Sequence, residues 1–182
     1  EAQLGKIYTL FSPKGGVGNT TIAVNLAVNI FELTKEPTIL VDLDLNAGDV
    51  TTFLNIKPTY TISDVTTNIS RLDRSFLKNE VSIHESGIHI LAEPQKVQEA
   101  VSISGHDIKK VLGLLKTMFK YIVIDTEPSF NERTLTAIEM SDLLILTFIL
   151  SLPSIRNMQR YVNYLDSIGY RKDKIQLIAN RY

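Results

Sequence analysis

The stretch Ser12-Pro-Lys-Gly-Gly-Val-Gly-Asn-Thr-Thr21 carries the clearest chemical signature in the chain. Gly15, Gly16 and Gly18 lie between a short β-rich run, Lys6 to Phe11, and a run with helical patterning. Glycines there let backbone N–H groups converge on an anion, with no side chain in the way. The first turn of the following helix adds free N–H groups and a favourable dipole. Thr20 and Thr21 bring two hydroxyls, the first suited to Mg²⁺ and the second to a phosphate oxygen. The standard phosphate-loop pattern, G-x-x-x-x-G-K-[ST], is matched only at Gly18 and Thr20. Pro13 stands where its first glycine belongs and Asn19 where its lysine belongs. The stretch alone therefore leaves two readings open, a phosphate loop and a tight turn between strand and helix.

Two carboxylates end apolar runs further along. Asp42 closes "TILVD" and Asp125 closes "YIVID". A carboxylate at such a strand end can hold Mg²⁺ through water. If the strand continues past Asp42, alternation points Asp42 and Asp44 to the same face.

The elements that must position these groups follow from hydrophobic periodicity. Ile22, Leu26, Ile30 and Leu33 mark one face of a helix closed by Pro37. Residues 49–54 and 62–77 read as short helices or loops, and "GIHIL" as a strand. Ile108, Val111, Leu112, Leu115 and Phe119 line a second helix, and residues 133–140 form another. Residues 143–148 and 175–179 are strands, with a helix between them carrying Ile155, Met158, Val162 and Leu165. Strands alternating with helices predict an α/β fold: a mostly parallel sheet with helices on both faces in three layers. Ligands of such sheets sit beyond the carboxyl ends of the strands. The polar clusters after Phe11, Val41, Ile124 and Ala179 all fall there.

Bulk composition narrows the class. The 182 residues favour a single domain, 1–182, with 44% hydrophobic and 21% charged residues. A formal net charge of −1 gives no general pull towards nucleic acid or anionic membrane. The absence of cysteine excludes disulfides and thiolate metal sites. The longest apolar run, Leu143 to Leu152, is half the length of a membrane-spanning helix. His84, His89 and His106 have no ligand spacing, so no metal role is assigned to them. Arg71, Arg74, Lys78, Arg171, Lys172 and Lys174 are diluted by Asp73, Glu80 and Asp173, so a solvated face is expected there and DNA binding is not.

"KGGVGNTTIAVNLA", "ILVDLDLNAGDV", "YIVIDTEPSFNERTL" and "LIANRY" together resemble the motifs of the MinD/ParA family of dimeric P-loop ATPases, in family order. "DLDLNAGDV" and "SFNERTL" are most similar to its TadZ/CpaE branch, which is linked to assembly and polar placement of Flp pili and in which the ordinary loop lysine is commonly missing. The resemblance implies a deviant Walker A loop formed by Lys14, Gly15, Gly16, Val17, Gly18, Asn19, Thr20 and Thr21. Lys14 would reach across a homodimer interface to the partner's phosphates, Asp44 would orient the attacking water, and Asn180 and Arg181 would touch adenine. Thr20, Asp42 and Asp125 are the expected Mg²⁺ residues, and ATP with Mg²⁺ the expected ligand. Glu127 stands where the family often has a small residue or proline.

Asn19 cannot supply a cation, but its amide is expected to donate to phosphate oxygens. The expected function is an ATP-dependent dimerisation switch with weak or absent hydrolysis, positioning pilus-assembly machinery. It would act in the cytoplasm, recruited to a cell pole or the inner membrane face through partners. An active partitioning or cell-division ATPase and a nucleotide-free adaptor remain alternatives. Related domains continue beyond the point where this sequence stops, and TadZ-like members carry a receiver-like domain before the ATPase. A fragment or a shortened, C-terminally incomplete member is therefore expected.

Overall fold

The computed structural model describes residues 4–181. Glu1, Ala2, Gln3 and Tyr182, the last residue of "LIANRY", lie outside the described residues. The strands are β1 (Lys6–Phe11), β2 (Thr38–Leu43), β3 (Ser82–Ile83), β4 (His89–Leu91), β5 (Tyr121–Thr126), β6 (Leu143–Ile149) and β7 (Ile175–Asn180). The helices are α1 (Asn19–Thr34), α2 (Val50–Phe53), α3 (Ile62–Thr67), α4 (Arg74–Glu80), α5 (Val97–Ala100), α6 (Gly105–Met118), α7 (Glu132–Glu139) and α8 (Leu152–Ser167). One seven-stranded sheet has the order β3-β4-β2-β5-β1-β6-β7. Every pairing is parallel except β3 with β4. The expected three-layer α/β arrangement is the one observed.

Alternation along the central strands explains the two covered faces. Ile39, Val41, Ile122 and Ile124 pack on one side with Ile108, Val111, Leu112 and Leu115 of α6. Leu40 and Val123 point the other way, against Ala23, Val24 and Ala27 of α1. β2 is buried at all six positions, as a strand covered on both faces should be. A capping box at Ser104 and Asp107 fixes the start of α6. Asp73, Asn131 and Ser151 cap α4, α7 and α8 through their side chains.

The buried line of α1 differs from the expected one. Ala23, Val24 and Ala27 face the sheet, and Leu33 is 84% exposed. Small residues let this helix lie close to the strands, so the larger Ile22, Leu26 and Ile30 pack along its flank. Ile155 of α8 is likewise 44% exposed while Met158 and Leu165 are buried. Among the described residues, no helix is long and apolar enough to cross a membrane.

Burial separates two superficially similar leucines. Leu115→Ala, at a fully buried site, should cost about 2–5 kcal/mol in urea unfolding. Leu33→Ala should stay within about 0.5 kcal/mol of the parent.

Candidate functional site

The parallel order brings the carboxyl ends of β1, β2, β5 and β7 to one edge of the sheet. A cavity of about 460 Å³ lies there. Lys14, Gly15, Gly16, Gly18, Asn19, Thr20 and Thr21 line it from the glycine loop, Asp44 and Asn46 from the loop after β2, Glu127 from the loop after β5, and Arg181 from the end of β7.

The loop geometry suits an anion. Gly16 and Gly18 have φ of +74° and +95°, a region that favours glycine. Nothing lies within 4 Å of where a Cβ on Gly15 or Gly16 would be, so this side of the loop is open. At Gly18 a Cβ would come within 2.4 Å of Asn180 Nδ2. Gly18 precedes the first residue of α1 as its cap. Ser12 steadies the loop: its hydroxyl donates to the Lys14 carbonyl at 2.9 Å and accepts from the Lys14 N–H at 3.3 Å. Among the described residues, no carboxylate pairs with the exposed Lys14 ammonium.

Asp125 is the anchor beneath the loop. Its Oδ1 accepts from Asn19 Nδ2 at 2.7 Å and its Oδ2 from the Thr20 hydroxyl at 2.6 Å. Asn19 Nδ2 also donates to the Leu10 carbonyl at 3.3 Å. Both amide hydrogens of Asn19 are thus directed into the protein. A buried carboxylate and a strand-end carbonyl are the acceptors that hold them, where the sequence reading expected phosphate oxygens. Asn19 Oδ1 is buried without a partner among the described residues. Burial pushes the Asp125 pKa up to about 6, although the bonds from Thr20 and Asn19 pull it down.

Asp42 sits opposite Asp125 in the β2–β5 register and is fully buried. It does not line the cavity. Its Oδ1 accepts from Asp44 N–H at 2.9 Å and its Oδ2 from Val50 N–H at 3.3 Å, so it braces the loop after β2. Burial, and then the negative charges of Asp125 and Glu93, push its pKa well above the usual carboxylate range. Asp44 does not share the face of Asp42, because β2 ends at Leu43 and the chain folds back onto the Asp42 carboxylate. Asp44 does line the cavity, with Oδ1 accepting from Ala47 N–H at 3.1 Å. Burial raises its pKa, the Ala47 bond lowers it, and Glu127 raises it further. Gly48 is required for close approach, since a Cβ there would lie 2.6 Å from Asp42 Oδ2 and 2.8 Å from the Asp44 carbonyl oxygen.

Val17 is buried and contributes through its backbone: its carbonyl accepts from Asn180 Nδ2 at 2.8 Å. Asn180 thereby holds the glycine loop and does not line the cavity, whereas Arg181 does. The sequence reading missed the surroundings of Glu127. This buried carboxylate takes hydrogen bonds from Asn131 and from Asn46 at 3.0 Å, and an ion pair from Arg133 at 3.1 Å. The signal was present in the spacing of Glu127, Asn131 and Arg133 around a helix start, but Asn46 comes from a distant loop.

The residues fit Mg²⁺. The Thr20 hydroxyl donates to Asp125, which leaves its lone pairs free for a cation at the cavity floor. Two buried carboxylates in register beneath it favour positive charge nearby. Mg²⁺ typically keeps several waters and takes one or two protein ligands plus phosphate oxygens.

The raised pKa of Asp125 gives a signed prediction. Stability from the protonated form is full below the unfolded pKa near 3.8 and is lost as pH rises through about 6. Relative to Asp125→Asn, the wild-type chain should lose about 2–3 kcal/mol between pH 4 and pH 7. Urea unfolding of both proteins across that range checks it.

A family profile described as an AAA domain matches residues 5–177. The septum site-determining protein MinD of Thermotoga maritima is 26% identical over 180 residues, which is 98% of this chain and 65% of that protein. The chain therefore spans a little under two thirds of that relative. The virulence plasmid ParA family protein of Chlamydia psittaci is 23% identical over 95% of this chain and 68% of its own length. Among solved structures, a ParA family ATPase from Chlorobium tepidum superposes with a TM-score of 0.89 at 22% identity, over 97% of this chain and 74% of that one. MinD of Pyrococcus horikoshii complexed with Mg-ADP gives 0.83 at 22% identity, over 98% and 71%. With the profile covering nearly all of its length, the chain belongs to the AAA-domain family, and it is similar in sequence and fold to MinD and ParA proteins.

Proposed function

We propose that this domain is an ATP-dependent dimerisation switch in which nucleotide occupancy, more than turnover, carries the signal. One observation carries the reading: the open glycine cradle stands beside an exposed Lys14 with no carboxylate partner among the described residues, while position 19 holds a neutral amide whose Nδ2 donates to Asp125 and Leu10. The cradle and the first turn of α1 would take the phosphates, Thr20 with Asp125 would hold Mg²⁺, and Arg181 would lie beside the base. Asp44 is the group placed to orient a water. Lys14 would act on the nucleotide of a second subunit, as a deviant Walker A lysine does. When bound, Mg²⁺ would offset charge on the phosphates.

Without a lysine at position 19, stabilisation of charge on the transferring phosphoryl group falls to Lys14 and the metal ion. Hydrolysis is therefore slow. The wording of "DLDLNAGDV" and "SFNERTL" supports the TadZ/CpaE branch, and with it a role in placing pilus-assembly machinery from the cytoplasmic side. A second reading, a cycling ATPase of cell division or plasmid partition, draws support from the MinD and ParA relatives. Turnover stimulated by DNA or membrane would select it.

Sedimentation velocity should show a monomer shifting to a dimer on addition of Mg²⁺ with a non-hydrolysable ATP analogue, and no shift in Lys14→Ala. The same oligomer with and without nucleotide rejects the switch. Asn19→Lys should raise ATP turnover at least tenfold, because a buried cation beside the transferring phosphoryl group is worth several kcal/mol. Equal turnover in both proteins contradicts the slow-hydrolysis account.

A further inference from the structure

Glu127 is a charged side chain that is 7% exposed and faces a cavity proposed to bind an anion. Burying an ion pair seldom adds stability over an apolar pair, so stability is a poor reason for one at this position. The carboxylate is also fixed in place. Arg133 pairs with Oε1 from α7 and is itself held by the carbonyls of Ala100 at 3.0 Å and Ile103 at 3.4 Å. Asn131, the cap of α7, donates to the same oxygen. Oε2 takes the amide of Asn46, so the loops after β2 and β5 are joined across the cavity by one bond.

The order of the strands sets which end of the cavity this is. Arg181 follows β7, the glycine loop follows β1 in the middle, and Glu127 and Asn46 follow β5 and β2 on the far side. This inference rests on the proposed reading that the base lies beside Arg181. A diphosphate then ends over the glycine loop, and a third phosphate extends towards Glu127 and Asn46. We propose that Glu127 is a selectivity-determining residue, which disfavours the terminal phosphate of a nucleoside triphosphate relative to the matching diphosphate. Its charge cannot swing aside, because three donors from two loops and a helix hold it. The triphosphate state thereby depends on added cations, the metal ion and a second subunit's Lys14, and the switch stays off without them.

Calorimetric titration of Mg-ADP and of the Mg²⁺ complex of a non-hydrolysable ATP analogue tests this. Glu127→Gln should tighten the triphosphate about tenfold and leave the diphosphate within about twofold, as expected for removal of one charge near a doubly charged group. Asn46→Asp, on an exposed loop, should weaken the triphosphate alone. Glu132→Gln, an exposed carboxylate beside Arg133 but outside the cavity, should change neither. Equal tightening of both nucleotides in Glu127→Gln, an unchanged ratio, or the same shift in Glu132→Gln overturns the inference while leaving nucleotide binding intact. If Glu127→Gln does not fold, Asn46→Asp decides alone. Failure of the wild-type chain to bind either nucleotide overturns the parent reading and this inference with it.

Discussion

The Asp125 carboxylate, gripped by Asn19 and Thr20, is the interaction on which the site depends. It ties the first two residues of α1 to the end of β5, in the centre of the sheet. That tie fixes where the glycine loop ends and where the free N–H groups of α1 begin. Asn19 extends it to β1 through the Leu10 carbonyl, and Thr126 donates to the same carbonyl at 2.7 Å. Asn180 closes the loop from β7. Three strand ends, those of β1, β5 and β7, are thereby tied around one cavity.

The same edge concentrates negative charge. Asp42 and Asp125 are buried neighbours in adjacent strands, and Glu93 adds to the potential at Asp42. Glu93 is itself held by the Thr51 hydroxyl at 2.7 Å. The cost of desolvating Asp42 and Asp125 is met in part by backbone N–H donors, the Thr20 hydroxyl and the Asn19 amide, and the pKa values of these two aspartates remain raised. An edge of this kind is poorly suited to a bare polyphosphate and well suited to one accompanied by a divalent ion. The proposed magnesium dependence and the proposed cation supply from a second subunit rest on the same electrostatics.

Much of this was legible in the sequence because buried parallel strands are written as unbroken apolar runs, as in "TILVD" and "YIVID". The helix α6 was legible in the spacing of Ile108, Val111, Leu112 and Leu115, all of which are buried. The two-residue strand β3 is too short to show a period. The packing face of α1 was misread because Ala23 and Ala27 have little hydrophobic weight but allow close approach. Alternation failed at Asp44 because the strand stops one residue earlier, where Asp42 offers the backbone a better partner than the sheet. The role of Asn19 could not be read from its type, since its acceptors come from β1 and β5. Asn46 and Glu127 lie 81 positions apart and meet only once the sheet is formed.

The claim that Asn19 serves as a tie, and not as a phosphate ligand, is tested most directly with Asn19→Ala. Two quantities are read from the same preparation, the unfolding free energy of the ligand-free chain and its affinity for Mg-ADP. Loss of a buried bond to a carboxylate should lower stability by about 1.5–3 kcal/mol, while the Mg-ADP affinity changes by less than about threefold. Unchanged stability with a tenfold or greater loss of affinity would contradict the account and return Asn19 to the phosphates.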